Sequence, residues 1–159
     1  MTTQTSTQAV HNTFVIERQY PHNPERVFAA FAEPAQKRLW YAEGDHQIDE
    51  FDMDFQVGGS ERYRYHFQEG HPIAGSGIAN DGSYHDIVPE NRIVMTTKMS
   101  LNGKPILVQL VTIEFLRTQA GTDLILTHQG TFLDWEGGPQ MIEAGWRALL
   151  DRLKTYLAK

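Results

Sequence analysis

Alternation of apolar and polar positions dominates the first two thirds of the chain. From Thr13 to Tyr20, TFVIERQY sets Phe14, Ile16 and Tyr20 on one side and Glu17 and Gln19 on the other, the period of a half-buried strand. NPERVFAAF then changes the period. Asn23 supplies an N-cap, Pro24 the first helical position and Glu25 an acid in the first turn, with Val27, Phe28 and Phe31 as the apolar stripe of a short helix. Pro34 interrupts it, and AQKRLWY predicts a second helical turn ending with Leu39, Trp40 and Tyr41 turned toward apolar surroundings.

Period two returns in FDMDFQVGG, with Phe51, Met53 and Phe55 on one face, Asp52 and Asp54 on the other, and Gly58 and Gly59 in a turn. ERYRYHF answers it: Tyr63, Tyr65 and Phe67 share one face, while Arg62, Arg64 and His66 lie opposite, where the two aspartates can pair with them across a hairpin. Further strands are expected near Ala74 to Ile87, near Arg92 to Met99, from Ile106 to Arg117 after an Asn102-Gly103 hairpin signal, and over TDLILTHQGTF. The closing segment is helical. Ile142, Gly145, Trp146, Leu149, Leu150, Leu153, Tyr156 and Leu157 form one wide apolar stripe, with Glu143 four residues ahead of Arg147 on the wet side and Pro139 at the start. These elements predict an α+β fold: a meander of six or seven antiparallel strands, two short helices after the first strand and one long helix at the end.

Composition sharpens that picture. In 159 residues, 40% hydrophobic and 11% aromatic, there is material for one domain with a real core, expected over residues 13–159 behind a flexible polar tail at residues 1–12. With 14 Lys+Arg against 20 Asp+Glu, the formal charge of -6 repels phosphate backbones, so no nucleic acid is expected as partner. The absence of cysteine removes disulfides and thiolate chemistry and fits a cytoplasmic location. MTTQTSTQAVHN has neither a basic start nor an apolar run, so neither a secretory signal nor a membrane span is expected there.

The chemistry-bearing motifs are mostly missing. No His-Glu-x-x-His helix, phosphate-cradling loop or Gly-x-Ser-x-Gly elbow occurs, and no catalytic residue, metal site or cofactor is assigned. Asp52, Asp54 and Gln56 begin like a calcium loop, but Val57 stands where its sharp turn requires glycine. His128 shares the inward parity of Leu124 and Leu126. It reads either as a core histidine satisfied by a neighbour, as a polar contact for a ligand, or as an acid/base group. The many bulky rings, Trp40, Phe67, Phe115 and Trp146 among them, either fill a core or meet across a cavity.

The order of elements and the stretches NPERVFAAFAEPAQKRLWY, FDMDFQVGGSERYRYHF, GSYHDIVPENRIVMTTKM, TDLILTHQG and GWRALLDRLKTYL resemble the SRPBCC superfamily of START-like, helix-grip domains. The branch they are most similar to is that of the C-terminal domain of the activator of heat-shock protein 90 ATPase. The resemblance implies a strongly curved sheet wrapped around the C-terminal helix, a cavity between them, and two small helices closing one end. It places Trp40, Met53, Phe55, Tyr63, Tyr65, Tyr84, His128, Ile142, Trp146 and Leu149 on the chamber wall, and makes Gly145 a point of close approach by a strand or ligand. Three functions follow as expectations. The first is binding of a small hydrophobic, lipid-like or aromatic molecule. The second is a co-chaperone or protein-interaction module. The third is a cyclase- or aromatase-like enzyme, against which the lack of a polar constellation weighs. Homodimerisation stays open.

Overall fold

In the computed structural model, which describes residues 7–159, the alternating segments become seven strands. They are β1 (Ala9–Tyr20), β2 (His46–Met53), β3 (Ser60–Phe67), β4 (Gly77–Val88), β5 (Arg92–Leu101), β6 (Lys104–Arg117) and β7 (Thr122–Leu133). All pairings are antiparallel, in the order β1-β7-β6-β5-β4-β3-β2. The sheet is a meander whose last strand returns to its first. The β5–β6 hairpin turns on Asn102 and Gly103, both left-handed at φ 50° and 83°, as a tight two-residue turn requires.

Helix α1 (Pro24–Ala32) starts where Asn23 accepts a hydrogen bond from the Arg26 amide at 2.8 Å, and a single turn α2 (Pro34–Lys37) follows. The chain then widens into a π-helical turn, Arg38–Ala42, closed by the Glu43 amide on the Arg38 carbonyl at 3.0 Å. Trp40 pins this turn to α1 by donating its indole N–H to the Ala30 carbonyl at 2.9 Å. Helix α3 (Gly138–Leu157) lies against the other side of the structure's core, tied to β1 where the Tyr20 hydroxyl donates to the Leu150 carbonyl at 3.0 Å.

The core fills the space between one face of the sheet, α1 and the last turns of α3. Ile16, Ile113, Phe115, Leu124 and Leu126 meet Val27, Phe28 and Phe31 from one side and Leu150, Leu153 and Leu157 from the other. Aromatic edges interlock there. Phe31 meets Trp40 and Phe115 edge-on at 4.9 and 5.5 Å, and Phe28 meets Phe115 at 5.3 Å.

Several expectations shift. β1 begins at Ala9, four residues before Thr13, so Ala9–Asn12 are strand and not tail; residues 1–6 of that tail lie outside the described residues. β4 begins at Gly77 instead of Ala74. β2 ends at Met53, leaving Phe55 in a loop that folds back on β4. There the Gly58 amide donates to the Tyr84 carbonyl at 2.8 Å, and a Cβ on Gly59 would lie 2.0 Å from the Asp54 carbonyl oxygen, so only glycine fits. Leu39 faces solvent, 51% exposed, because the widened turn carries it outward between Lys37 and Trp40.

The charged face of β3 also finds other partners than the two expected aspartates. Arg64 bridges Glu50 at 2.7 Å and Asp81 at 2.8 Å, Arg62 reaches Asp81 at 3.6 Å, and His66 meets Asp49 at 2.9 Å. A bulge between Ile48 and Glu50 offsets the β2 register, and β4 supplies a second acidic neighbour from the far side. These exposed pairs set charge complementarity across the sheet and add little stability.

Candidate functional site

Leu150, Leu153 and Leu157 pack into the core, while the part of α3 that carries Ile142, Trp146, Leu149 and Arg152 stands away from the sheet. Between them lies a cavity of about 330 Å³ that runs beneath the helix from β2 to β6. Tyr41, Tyr63, Tyr65 and Trp146 give it aromatic walls, and Met99, Ile142 and Leu149 add aliphatic surface. Gly145 and Ala148 line it from the exposed side of α3, so the space opens to solvent past the helix. At Gly145, an added Cβ would meet nothing within 4 Å. No strand therefore approaches closely here, and the glycine borders the open space of the cavity.

Beside the β3 rings, the sheet side of the cavity carries polar groups. Gly82, Thr97, Gln109 and Gly130 pair in one row across β4 to β7, with two of the four positions lacking a side chain. Gln109 reaches the cavity with Asn80 of β4 as the second amide. Behind Gln109 sits His128, 0% exposed, its ring stacked on Phe14 at 4.6 Å and its Nε2 2.5 Å from the Gln109 Oε1. Burial lowers its pKa to about 4, so the ring is neutral and its Nε2–H donates to Gln109. That bond fixes the amide, leaving the Gln109 NH₂ as the group available to an occupant. The Nδ1 of His128 is buried with no partner among the described residues.

At the opposite side, His46 and Tyr63 share the Ala42 carbonyl. The Tyr63 hydroxyl donates to it at 2.7 Å, and His46 Nε2 lies 2.7 Å from the same oxygen and 2.6 Å from the Tyr63 hydroxyl. Arg152 of α3 borders this corner and donates to the Glu43 carbonyl. Burial holds the Tyr65 phenol up at about 12, and raises those of Tyr41 and Tyr63 further, with the Glu61 charge adding to Tyr41 and Tyr65 adding to Tyr63. These phenols are neutral donors at ordinary pH.

Behind Tyr41 the structure hides a charged pair that the sequence reading did not single out. Lys37 of α2 and Glu61 of β3, 4% and 3% exposed, meet at 2.5 Å. Tyr84 donates to the same carboxylate oxygen at 2.8 Å, and the Lys37 ammonium sits 4.6 Å from the Tyr41 ring centre. Burial, then the Glu61 charge, drives the Tyr84 phenol far above its ordinary value. A signal for Glu61 existed, since it shares the inward parity of Tyr63 and Tyr65. For Lys37 none did, because the passage from helical to π-helical spacing decides its direction.

Of the ten residues that the resemblance places on a chamber wall, Tyr63, Tyr65, Ile142, Trp146 and Leu149 line this cavity. The other five lie elsewhere. Trp40 is buried beneath α1, Tyr84 is held by Glu61, Phe55 packs edge-on to Tyr84 at 5.0 Å, Met53 rests against the core, and His128 stands one layer behind Gln109. All ten lie on or near the inward side of the fold, and the element each packs against separates the two groups. Tyr41, His46, Asn80, Met99, Gln109 and Arg152 complete the lining.

A curved antiparallel sheet closed over a long C-terminal helix, with short helices after the first strand and a chamber beneath the helix, is a START-like helix-grip domain. Residues 21–158 match the family described as Activator of Hsp90 ATPase homolog 1-like protein, and the chain belongs to that family. Solved structures agree. A protein from Rhizobium loti is 40% identical, covering 94% of this chain and 99% of its own, with a TM-score of 0.84. An uncharacterized protein from Rhizobium leguminosarum is 34% identical over 97% and 99% of the two chains, with a TM-score of 0.89. CalU16 from Micromonospora echinospora, at 19% identity and a TM-score of 0.64 over 96% and 87%, shares the fold. None of the curated proteins matches the chain. No helix among the described residues is long and apolar enough to cross a membrane.

Proposed function

We propose that this protein binds a small, largely apolar molecule, ring-bearing or lipid-like, in the cavity beneath α3, in the cytoplasm. One observation carries the reading: a space of about 330 Å³, within the size range of ligand sites, is walled by aromatic rings instead of being filled by them. Asn80 and Gln109 supply the few polar contacts that orient such a guest. His128 acts through Gln109 and has no direct access to the guest, which argues against a proton-transfer role for it.

Titration with phenylnaphthylamine, a neutral fluorescent ring pair, tests this. Saturable one-site binding that Ala148→Trp abolishes is expected, with the unfolding midpoint of that variant unchanged. Absence of saturable binding to the native protein would reject the reading. Family membership favours one further reading, a contact with a chaperone ATPase. Stimulation of a chaperone's ATP hydrolysis by the purified protein would support it, and no stimulation at saturating concentration would dismiss it.

A further inference from the structure

The chain carries a formal charge of -6, yet among the described residues no carboxylate lines the cavity, and Arg152 brings a permanent positive charge to it. The tyrosines around it are held neutral by burial. Among the described residues Arg152 forms no ion pair: its one hydrogen bond goes to the neutral Glu43 carbonyl, while the carboxylates of Glu43 and Asp151 pair with Arg38 at 4.0 Å and Arg18 at 3.6 Å. A guanidinium carries five N–H donors, so most of its capacity is unspent. Beside it, His46 Nε2–H and the Tyr63 hydroxyl are both engaged by Ala42, which holds the corner rigid. An arginine at the rim of an aromatic chamber free of carboxylates among the described residues is matched by one kind of guest, an apolar body ending in a single anion.

We infer that the ligand is an anionic amphiphile, a monocarboxylic acid whose head is bound by Arg152 and whose ring or chain lies between Tyr65 and Trp146 toward Gln109. This rests on the cavity being a binding site. The body extends inward because the rings and Met99 lie there, and the head stays at the corner where water still reaches it. A partly hydrated arginine head site avoids the desolvation cost of a fully buried ion pair.

The test compares two fluorescent probes with matched rings, anilinonaphthalene sulfonate and neutral phenylnaphthylamine, on the full chain. The native protein is expected to prefer the anion. Arg152→Gln should weaken the anionic probe by roughly tenfold, about what one charge-assisted hydrogen bond contributes, and leave the neutral probe unchanged. Arg152→Lys should recover most of the loss. Competition then separates the guest's body types: displacement by dodecanoate points to a chain and by naphthoate to a ring, and either supports the inference if the methyl ester competes more weakly. If Arg152→Gln binds both probes as the native protein does, or the esters compete as well as the acids, the inference is overturned while the cavity reading stands. If neither probe binds the native protein, both fall together.

Discussion

Leu150, Leu153 and Leu157, in the second half of α3, are sealed against β1, β7 and α1, with none more than 2% exposed. Ile142, Trp146 and Leu149, which precede them on the same stripe, stay partly exposed over a cavity. One helix thus meets one sheet in two ways. Phe31, Phe115 and Trp40 interlock beside the sealed leucines and leave no room; facing the cavity, Tyr63 and Tyr65 rise from β3, and the row across β4 to β7 that includes Gln109 carries two glycines and two polar residues. The lesson is that an unbroken amphipathic pattern reports which face turns inward, and says nothing about whether the opposing surface comes up to meet it. Stability and binding are consequently expected to reside in different side chains of one element: Leu150, Leu153 and Leu157 for the first, and Ile142, Trp146, Leu149 and Arg152 for the second.

The largest effect should arise at the join between these regions. Glu61→Ala leaves Lys37 charged and buried and deprives Tyr84 of its acceptor, so a loss of about 3–5 kcal/mol is expected in urea unfolding. Replacing both partners, Lys37→Met with Glu61→Leu, should cost far less; equal losses would show that packing and not charge holds the turn down. Next, Leu153→Ala should lose about 2–5 kcal/mol and Leu149→Ala well under half as much. Comparable losses at the two positions would erase the distinction between the sealed and the hollow parts of the stripe.

A pH scan probes the polar layer between them. His128 is neutral when folded, its pKa lowered to about 4 by burial, and the unfolded chain takes up the proton near 6.5. Stability is therefore unaffected above pH 6.5, falls by about 3 kcal/mol as pH drops from 6.5 to 4, and loses nothing more from this group below that. The His128→Gln variant should show a shallower decline across the same window. The smallest effect separates two glycines of α3. Gly145→Ala should stabilise the chain by up to about 1 kcal/mol, since its Cβ enters empty space, and Gly138→Ala should destabilise it, since its Cβ would lie 2.5 Å from Phe132 Cδ2.

Local patterns carried most of the architecture. The alternation of Phe14 and Ile16, the Asn23-Pro24 start and the Asn102-Gly103 turn each specify their element through backbone chemistry that neighbours alone decide. Boundaries failed where a strand ran on without a change of period, as at Ala9, or where the period outlasted the strand, as at Phe55. The cavity was half legible. Tyr63, Tyr65, Trp146 and Leu149 were found because parity and helical phase point them inward, but Trp40, Tyr84 and His128 obey the same rule and lie in the solid part. His46 opens β2 and Arg152 lies within α3, and nothing in their immediate neighbours distinguishes them from solvated surface groups.

The offset at Asp49 has a consequence for self-association. β2 is one of the two outer strands of the sheet, and there the hydrogen-bonding rhythm is broken between Ile48 and Glu50 while acids at Asp49, Glu50 and Asp52 crowd the margin. A second chain seeking to extend the ribbon from that side would find its donors and acceptors out of step and its approach repelled. Lateral growth into fibrils is blocked at that margin by geometry as well as by charge, so the opposite margin, β1, is the one to protect when the protein is concentrated.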